Sequence, residues 1–163
     1  MARRSIVLAV ALLLVLALAP AAAAREHGTD RPIWSNQSGE VNFHMVGVPG
    51  VDRCPVLAVS DSYGTMSHLG KVWIHWEHCS PVTLPVYTNL NFTVTAANGD
   101  TLTGTYDING EPPYPMDITG GTGRFAGATG HLHTEFQLEG EWANGLPVNP
   151  WQGWWQMKGT ISY

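Results

Sequence analysis

Charge is scarce in this chain. Only 13% of its 163 residues are charged, about half the share of an ordinary soluble domain. Eight Lys and Arg face 13 Asp and Glu, for a formal net charge of -5. No basic cluster occurs in the body of the chain, which excludes a nucleic-acid binder that works by neutralising phosphates. Cysteine is nearly absent: Cys54 and Cys79 are the only two, and neither has a second cysteine at the spacing of a Cys/His zinc site. No Gly-x-Ser-x-Gly elbow occurs, so a nucleophilic triad has nothing to anchor it. No apolar run reaches the ~20 residues that span a bilayer. Apolar recurrence at helical spacing, internal repeats and linkers are also missing. The 18 Gly and 11 Pro are many, yet below the about 25–30% that marks disorder. Against these absences stand 44% hydrophobic residues and seven Trp, enough for the core of one domain.

The N-terminus reads as an address. Met1 to Arg4 is basic, Ile6 to Ala19 is unbroken apolar, Pro20 breaks the run, and Ala21 to Ala24 offers small residues for cleavage. This is the three-part pattern of a secretory signal peptide over residues 1–24, with cleavage expected between Ala22 and Glu26. Arg3-Arg4 leaves the twin-arginine route open beside the general one. Loss of this segment removes two arginines and leaves an acidic mature chain of net -7. An exported chain meets an oxidising compartment, so Cys54 and Cys79 are expected to pair.

After a polar lead over residues 25–37, alternation takes over. Val41, Phe43 and Met45 oppose Asn42 and His44. Leu132, Thr134, Phe136 and Leu138 oppose His131, His133, Glu135, Gln137 and Glu139. Trp155, Met157, Ile161 and Tyr163 oppose Gln156, Lys158, Thr160 and Ser162. Period 2 with one apolar face means strands. Further strands fall near 56–60, 62–68, 71–79 and 114–118, so eight or nine strands form an all-β sandwich or barrel. One hairpin is readable to its register. A two-residue Asn98-Gly99 turn would set Val94 against Thr103, apolar against polar. A three-residue loop, Ala97-Asn98-Gly99, sets Val94 against Leu102 and Leu90 against Tyr106, with Gly99 left-handed.

The most distinctive stretch runs from Gly120 to Gly130: Gly120-Gly121-Thr122-Gly123-Arg124-Phe125-Ala126-Gly127-Ala128-Thr129-Gly130. Its first glycines permit a left-handed reversal, Arg124 to Ala126 suffices for one helical turn, and Phe125 would plug the core beneath. Gly127 and Gly130 lead into the long alternating strand. This stretch resembles the Gly-Gly-Thr-Gly-x-Phe-x-x-Ala-x-Gly segment of dirigent proteins and the related turn of allene oxide cyclases. It is more similar still to small secreted bacterial proteins of that barrel superfamily, in which two further elements recur. Here these read Ser67-His68-Leu69-Gly70 and Ala96-Ala97-Asn98-Gly99-Asp100. The resemblance covers residues 38–163 and implies one antiparallel barrel of about eight strands, with a short helical turn near Gly123–Ala126. It carries no function, because the matching motifs are turn chemistry. No motif around Asp61, Glu77, Asp107 or Asp117 carries over a catalytic residue.

Three functional readings follow. The favoured one is a non-enzymatic exported barrel whose interior holds a small apolar ligand. An isomerase or cyclase of the allene oxide type is the second, and a structural domain with a filled barrel is the third. Phe43, Phe92, Tyr106, Phe136, Trp155 and Met157 are inward by parity, with Gly104 and Gly159 beside them. The expected ligand site is therefore a narrow cavity at Phe92, Gly104, Tyr106, Trp155 and Gly159. Trp73 and Trp76 take opposite faces of one strand, and Trp151, Trp154 and Trp155 precede the last strand. His75, Glu77 and Cys79 share a face opposite His78, and His131 shares one with His133. The latter face is polar throughout, so no metal and no cofactor are assigned. Asn36 and Asn91 begin glycosylation sequons that matter only in a eukaryotic secretory host.

Overall fold

A computed structural model describes residues 28–80 and 86–163; the expected leader over residues 1–24 lies outside them. Eight strands run β1 Arg31–Met45, β2 Val56–Met66, β3 Gly70–Ser80, β4 Thr88–Ala96, β5 Thr101–Tyr106, β6 Tyr114–Gly121, β7 Thr129–Ala143 and β8 Leu146–Ser162. Each pairs antiparallel with the next, and β8 closes on β1, giving one closed barrel. The strands expected at 56–60 and 62–68 merge into the single strand β2, which ends at Met66 with Ser67 and His68 in the turn beyond, and this settles the count at eight. No helix among the described residues is long and apolar enough to cross a membrane.

Alternation explains most of the interior. Leu132 and Thr134 of β7 and Trp155, Met157 and Ile161 of β8 are buried, while their outward neighbours are exposed or half-buried. Two stretches depart from the expected boundaries. β1 begins at Arg31, inside the segment read as a polar lead, and buries Ile33, Ser35 and Gln37. Its polar inward positions hid the period: Trp34, Asn36 and Ser38 face outward and reverse the usual hydropathy. Trp151, Trp154 and Trp155 lie within β8 rather than before it, because that strand is 17 residues long and extends with β7 as a hairpin. A left-handed Asn144-Gly145 pair turns this hairpin, the geometry that matches strand twist.

The β4–β5 hairpin has the longer loop. Val94 pairs with Leu102 and Thr95 with Thr101, Ala96 donates its N–H to Asp100 O at 2.9 Å, and Gly99 has φ +87. The ladder is continuous to Asn91–Thr105, short of the expected Leu90–Tyr106 pair.

One end of the barrel is sealed. Gly123–Phe125 forms a single 3-10 turn that drives Phe125 inward to full burial, against the Tyr163 ring at 4.8 Å. Positive φ falls at Gly123 and Gly127 rather than at the first glycines. Gly121 instead permits close approach, since a Cβ there would lie 2.4 Å from Thr101 O. Gly130 does the same, its Cβ lying 2.4 Å from Thr160 O. Gly120 sits in the β6 edge opposite Thr103.

The three motifs behind the resemblance meet at this end. Arg124 donates to His68 O at 2.5 Å and pairs with Asp100 at 3.6 Å. Ser67 Oγ accepts from Trp34 N at 2.9 Å, His68 Nε2 lies 2.8 Å from Pro32 O, and Leu69 is buried. Ser67–Gly70, Ala96–Asp100 and Gly120–Gly130 are thus parts of one clasp across the base.

Cys54 and Cys79 are joined, their sulfurs 2.11 Å apart. Cys79 faces outward on β3, so the bridge fastens the β1–β2 connection to the outside of the barrel at the opposite end.

Phe125→Ala should cost about 3–5 kcal/mol, the usual penalty for emptying a large aromatic site. Arg124 is half exposed, and its loss should cost no more than about 1–2 kcal/mol. Urea denaturation of both variants checks this; equal small losses would show that Phe125 is not the plug.

Candidate functional site

Aromatic side chains divide the interior. Trp76 on β3 and Trp155 on β8 stack with centroids 6.3 Å apart at 18°. Tyr106 on β5 meets Trp76 edge-on at 5.2 Å, and Phe92 on β4 lies 5.7 Å from it. Toward the sealed base, Ile74, Val94, Leu102, Met157 and Ile161 are almost completely buried. Toward the other end lies a cavity of about 350 Å³. That is the lower part of the ~300–1,000 Å³ range of small-molecule sites.

The cavity's floor is Trp76 and Trp155. Its walls are Val41, Phe43, Val56, Ala58, Tyr106, Phe136 and Leu138, and Trp142, Leu146 and Trp151 stand at the rim. Phe43 and Trp142 both meet Trp151 edge-on, at 5.3 Å and 5.1 Å. Trp151 Nε1 donates to Glu141 O at 3.2 Å, which holds that ring in place. Its ring covers Gly140, where a Cβ would come within 2.1 Å of it. Trp73 faces outward, as its parity predicts, and donates from Nε1 to Asp61 at 3.0 Å. Trp154 is also exposed.

Of the five residues expected at the ligand site, Tyr106 and Trp155 line the cavity and Phe92, Gly104 and Gly159 do not. The glycines open no space. A Cβ at Gly104 would meet Asp117 O at 2.0 Å and the Phe92 ring at 2.6 Å, and one at Gly159 would meet His131 O at 2.1 Å. Neighbouring backbone and the Phe92 ring already occupy what those positions lack. A Leu at Gly104 would therefore disrupt the barrel itself.

Besides the indoles of Trp76, Trp142, Trp151 and Trp155, few polar groups enter the cavity wall: Ser60, His78, Ser80, Thr134 and the two tyrosines, Tyr87 and Tyr106. Among the described residues, no Asp, Glu, Lys or Arg lines it. His78 Nδ1 lies 2.6 Å from Tyr106 Oη. A β-bulge at Glu77–Cys79 interrupts the β3–β4 register at His78, and such bulges re-aim side chains. Burial lowers the His78 pKa from 6.5 to about 4. Burial also raises the Tyr106 phenol well above its ordinary value, and the Glu77 carboxylate adds to this. Both groups are therefore neutral near pH 7. An imidazole nitrogen accepts a hydrogen bond better than a phenol oxygen does, which favours Tyr106 donating to Nδ1 and the ring's own proton sitting on Nε2. Nε2 has no hydrogen-bond partner among the described residues.

Parity alone places His78 inward, opposite His75, but the Tyr106 partner is 28 residues away and its strand is reached only through β4. The Ser60 and Thr134 hydroxyls are buried and find no partner among the described residues, as do Ser35 Oγ and Gln37 Nε2. Beneath the floor, Trp76 Nε1 donates to Ser62 Oγ, and Ser62 Oγ to Gln37 Oε1, both at 3.3 Å.

His75 pairs with Asp61 at 2.9 Å and His131 with Asp117 at 2.5 Å, both on the outer face. Among the described residues no three His, Cys, Asp or Glu side chains gather into a metal site. Asn36 and Asn91 are exposed on β1 and β4. No protein-family model and no curated protein sequence matches this chain.

The depressed His78 pKa has a signed consequence. The unfolded chain binds the proton below pH 6.5 and the folded chain only near pH 4, so stability is complete above pH 6.5 and falls as pH drops toward 4. Asn at this position keeps an acceptor for Tyr106 and cannot titrate. Between pH 7 and pH 4, wild type should lose about 2–3 kcal/mol more than His78→Asn. Parallel urea titrations would show identical losses if His78 were not a buried neutral group.

Proposed function

We propose that this chain is an exported barrel domain that holds one small, largely apolar molecule in the chamber above Trp76 and Trp155, without transforming it. The observation that carries this reading is the cavity of about 350 Å³ with its aromatic walls and sparse polar groups. Its size and lining suit a ligand of one or two rings. Export is supported by the leader pattern of residues 1–24 and by the cysteine pair. The resemblance to dirigent proteins and allene oxide cyclases, whose apolar barrels host small molecules, points the same way.

One observation favours the second reading, an isomerase or cyclase. His78 is an ionisable group with a displaced pKa in a cavity wall, which is where acid–base chemistry is sought. The direction of the displacements favours binding over catalysis. A base of pKa about 4 takes protons poorly at neutral pH, and a phenol raised above its ordinary value gives them up poorly. The pair suits hydrogen bonding better than proton transfer.

A neutral naphthylamine probe titrated into the folded protein should saturate at one equivalent, with quenching of tryptophan fluorescence. Ala58 lines the chamber, so Ala58→Phe should fill it and abolish the binding with the fold intact by circular dichroism. Failure of wild type to saturate, or equal binding by a folded Ala58→Phe, would overturn the reading.

A further inference from the structure

Granting the chamber a ligand, as proposed above, we infer that its ligand is an uncharged ring compound bearing one hydrogen-bond acceptor, a carbonyl above all, held by the Nε2–H of His78. The polar inventory of the wall leads there. Tyr106 Oη is engaged with His78 Nδ1 at 2.6 Å, which orients the imidazole and commits its remaining proton to Nε2. His78 lines the chamber, and its Nε2 has no partner among the described residues. A donor in an apolar wall seeks an acceptor, and a ligand lacking one leaves it unsatisfied.

A second group lies beside it. Ser60 pairs with Trp76 and Ala58 with His78 across β2 and β3, so Ser60 and His78 are diagonal neighbours on the inward face. Ser60 is only 6% exposed, and its hydroxyl has no partner among the described residues. Diagonal neighbours on paired strands are about 7–8 Å apart at Cα and within reach of one ligand group. Ser60 and His78 therefore mark the β2–β3 wall of the chamber, and the Thr134 hydroxyl lies on β7 beside Phe136 and Leu138.

Charge is excluded by the same inventory. Among the described residues no Lys or Arg lines the chamber to pair with a carboxylate, and no Asp or Glu to pair with an ammonium. Burying an unpaired ion costs far more than a hydrogen bond returns. His78 does not supply the missing cation, because its Nδ1 accepts the Tyr106 proton and the ring is neutral. A fatty acid or an aromatic acid is thus the wrong occupant, and the matching ketone, aldehyde or quinone is the right one.

Three probes of one shape separate these possibilities: naphthalene, 2-acetonaphthone and 2-naphthoate, each titrated calorimetrically into the disulfide-linked protein at pH 7. The ketone should bind roughly two- to tenfold more tightly than naphthalene, the worth of one neutral hydrogen bond, and the naphthoate most weakly. His78→Asn preserves the acceptor for Tyr106 and removes the Nε2–H donor. It should erase the preference for the ketone, so that ketone and naphthalene bind the variant with equal affinity. His78→Gln, whose amide reaches toward the former Nε2, should restore part of it.

Equal binding of ketone and naphthalene, or a preference that survives in His78→Asn, would overturn the inference and leave the cavity reading standing. Tightest binding by naphthoate would overturn it too. If none of the three probes bound, the cavity reading would fall first. Should the variants not fold, nitrogen-resolved NMR of wild type decides. The Nε2 proton should move downfield on adding the ketone and not on adding naphthalene; an unmoved proton would contradict the assignment.

Discussion

An eight-stranded barrel is just wide enough for its own side chains, so one pair of tryptophans can close its cross-section. Trp76 and Trp155, stacked across the interior, are that constraint. They rest on a packed aliphatic half and support an open half, and every polar feature of the chamber is arranged above or beside them. Their size requires small neighbours: a Cβ at Gly153 would lie 2.1 Å from the Trp155 ring. The polar link from Trp76 through Ser62 to Gln37 fixes the indole from below, which gives the floor one orientation. A smaller residue at either position would join the two halves and remove the distinction between core and site.

The two ends of the barrel differ, one sealed and the other open onto a cavity. The base is locked by Phe125 and by the clasp in which Arg124 reaches His68 O and Asp100. The far end carries the cavity, the re-aimed His78 and an exposed rim of Trp142 and Leu146. Ser67–Gly70, Ala96–Asp100 and Gly120–Gly130 all belong to the base, and none of them borders the chamber.

Much of the fold was legible in the chain because period 2 is a local signal. Leu132, Thr134, Phe136 and Leu138 announce their inward face, and Val94 against Leu102 selects the β4–β5 loop. Ile33, Ser35 and Gln37 were hidden because two of the three inward residues are polar and Trp34 faces outward. Phe92, Gly104 and Gly159 were correctly inward in parity and still missed the cavity. Parity says which face a residue occupies; it does not say at what height in the barrel, nor which ring leans over which glycine. The His78–Tyr106 pair needed three strands in register and a bulge, information that no single stretch of chain contains.

The tryptophan pair separates a filled half of the barrel from an open one. Methyl-resolved NMR with naphthalene as the probe tests this separation most directly. Shifts are expected at Val41, Val56, Ala58 and Leu138, which line the chamber, with Val94, Leu102 and Ile161 unmoved. Shifts at Val94, Leu102 or Ile161 comparable to those at Val56, or no shifts anywhere at saturating probe, would contradict it.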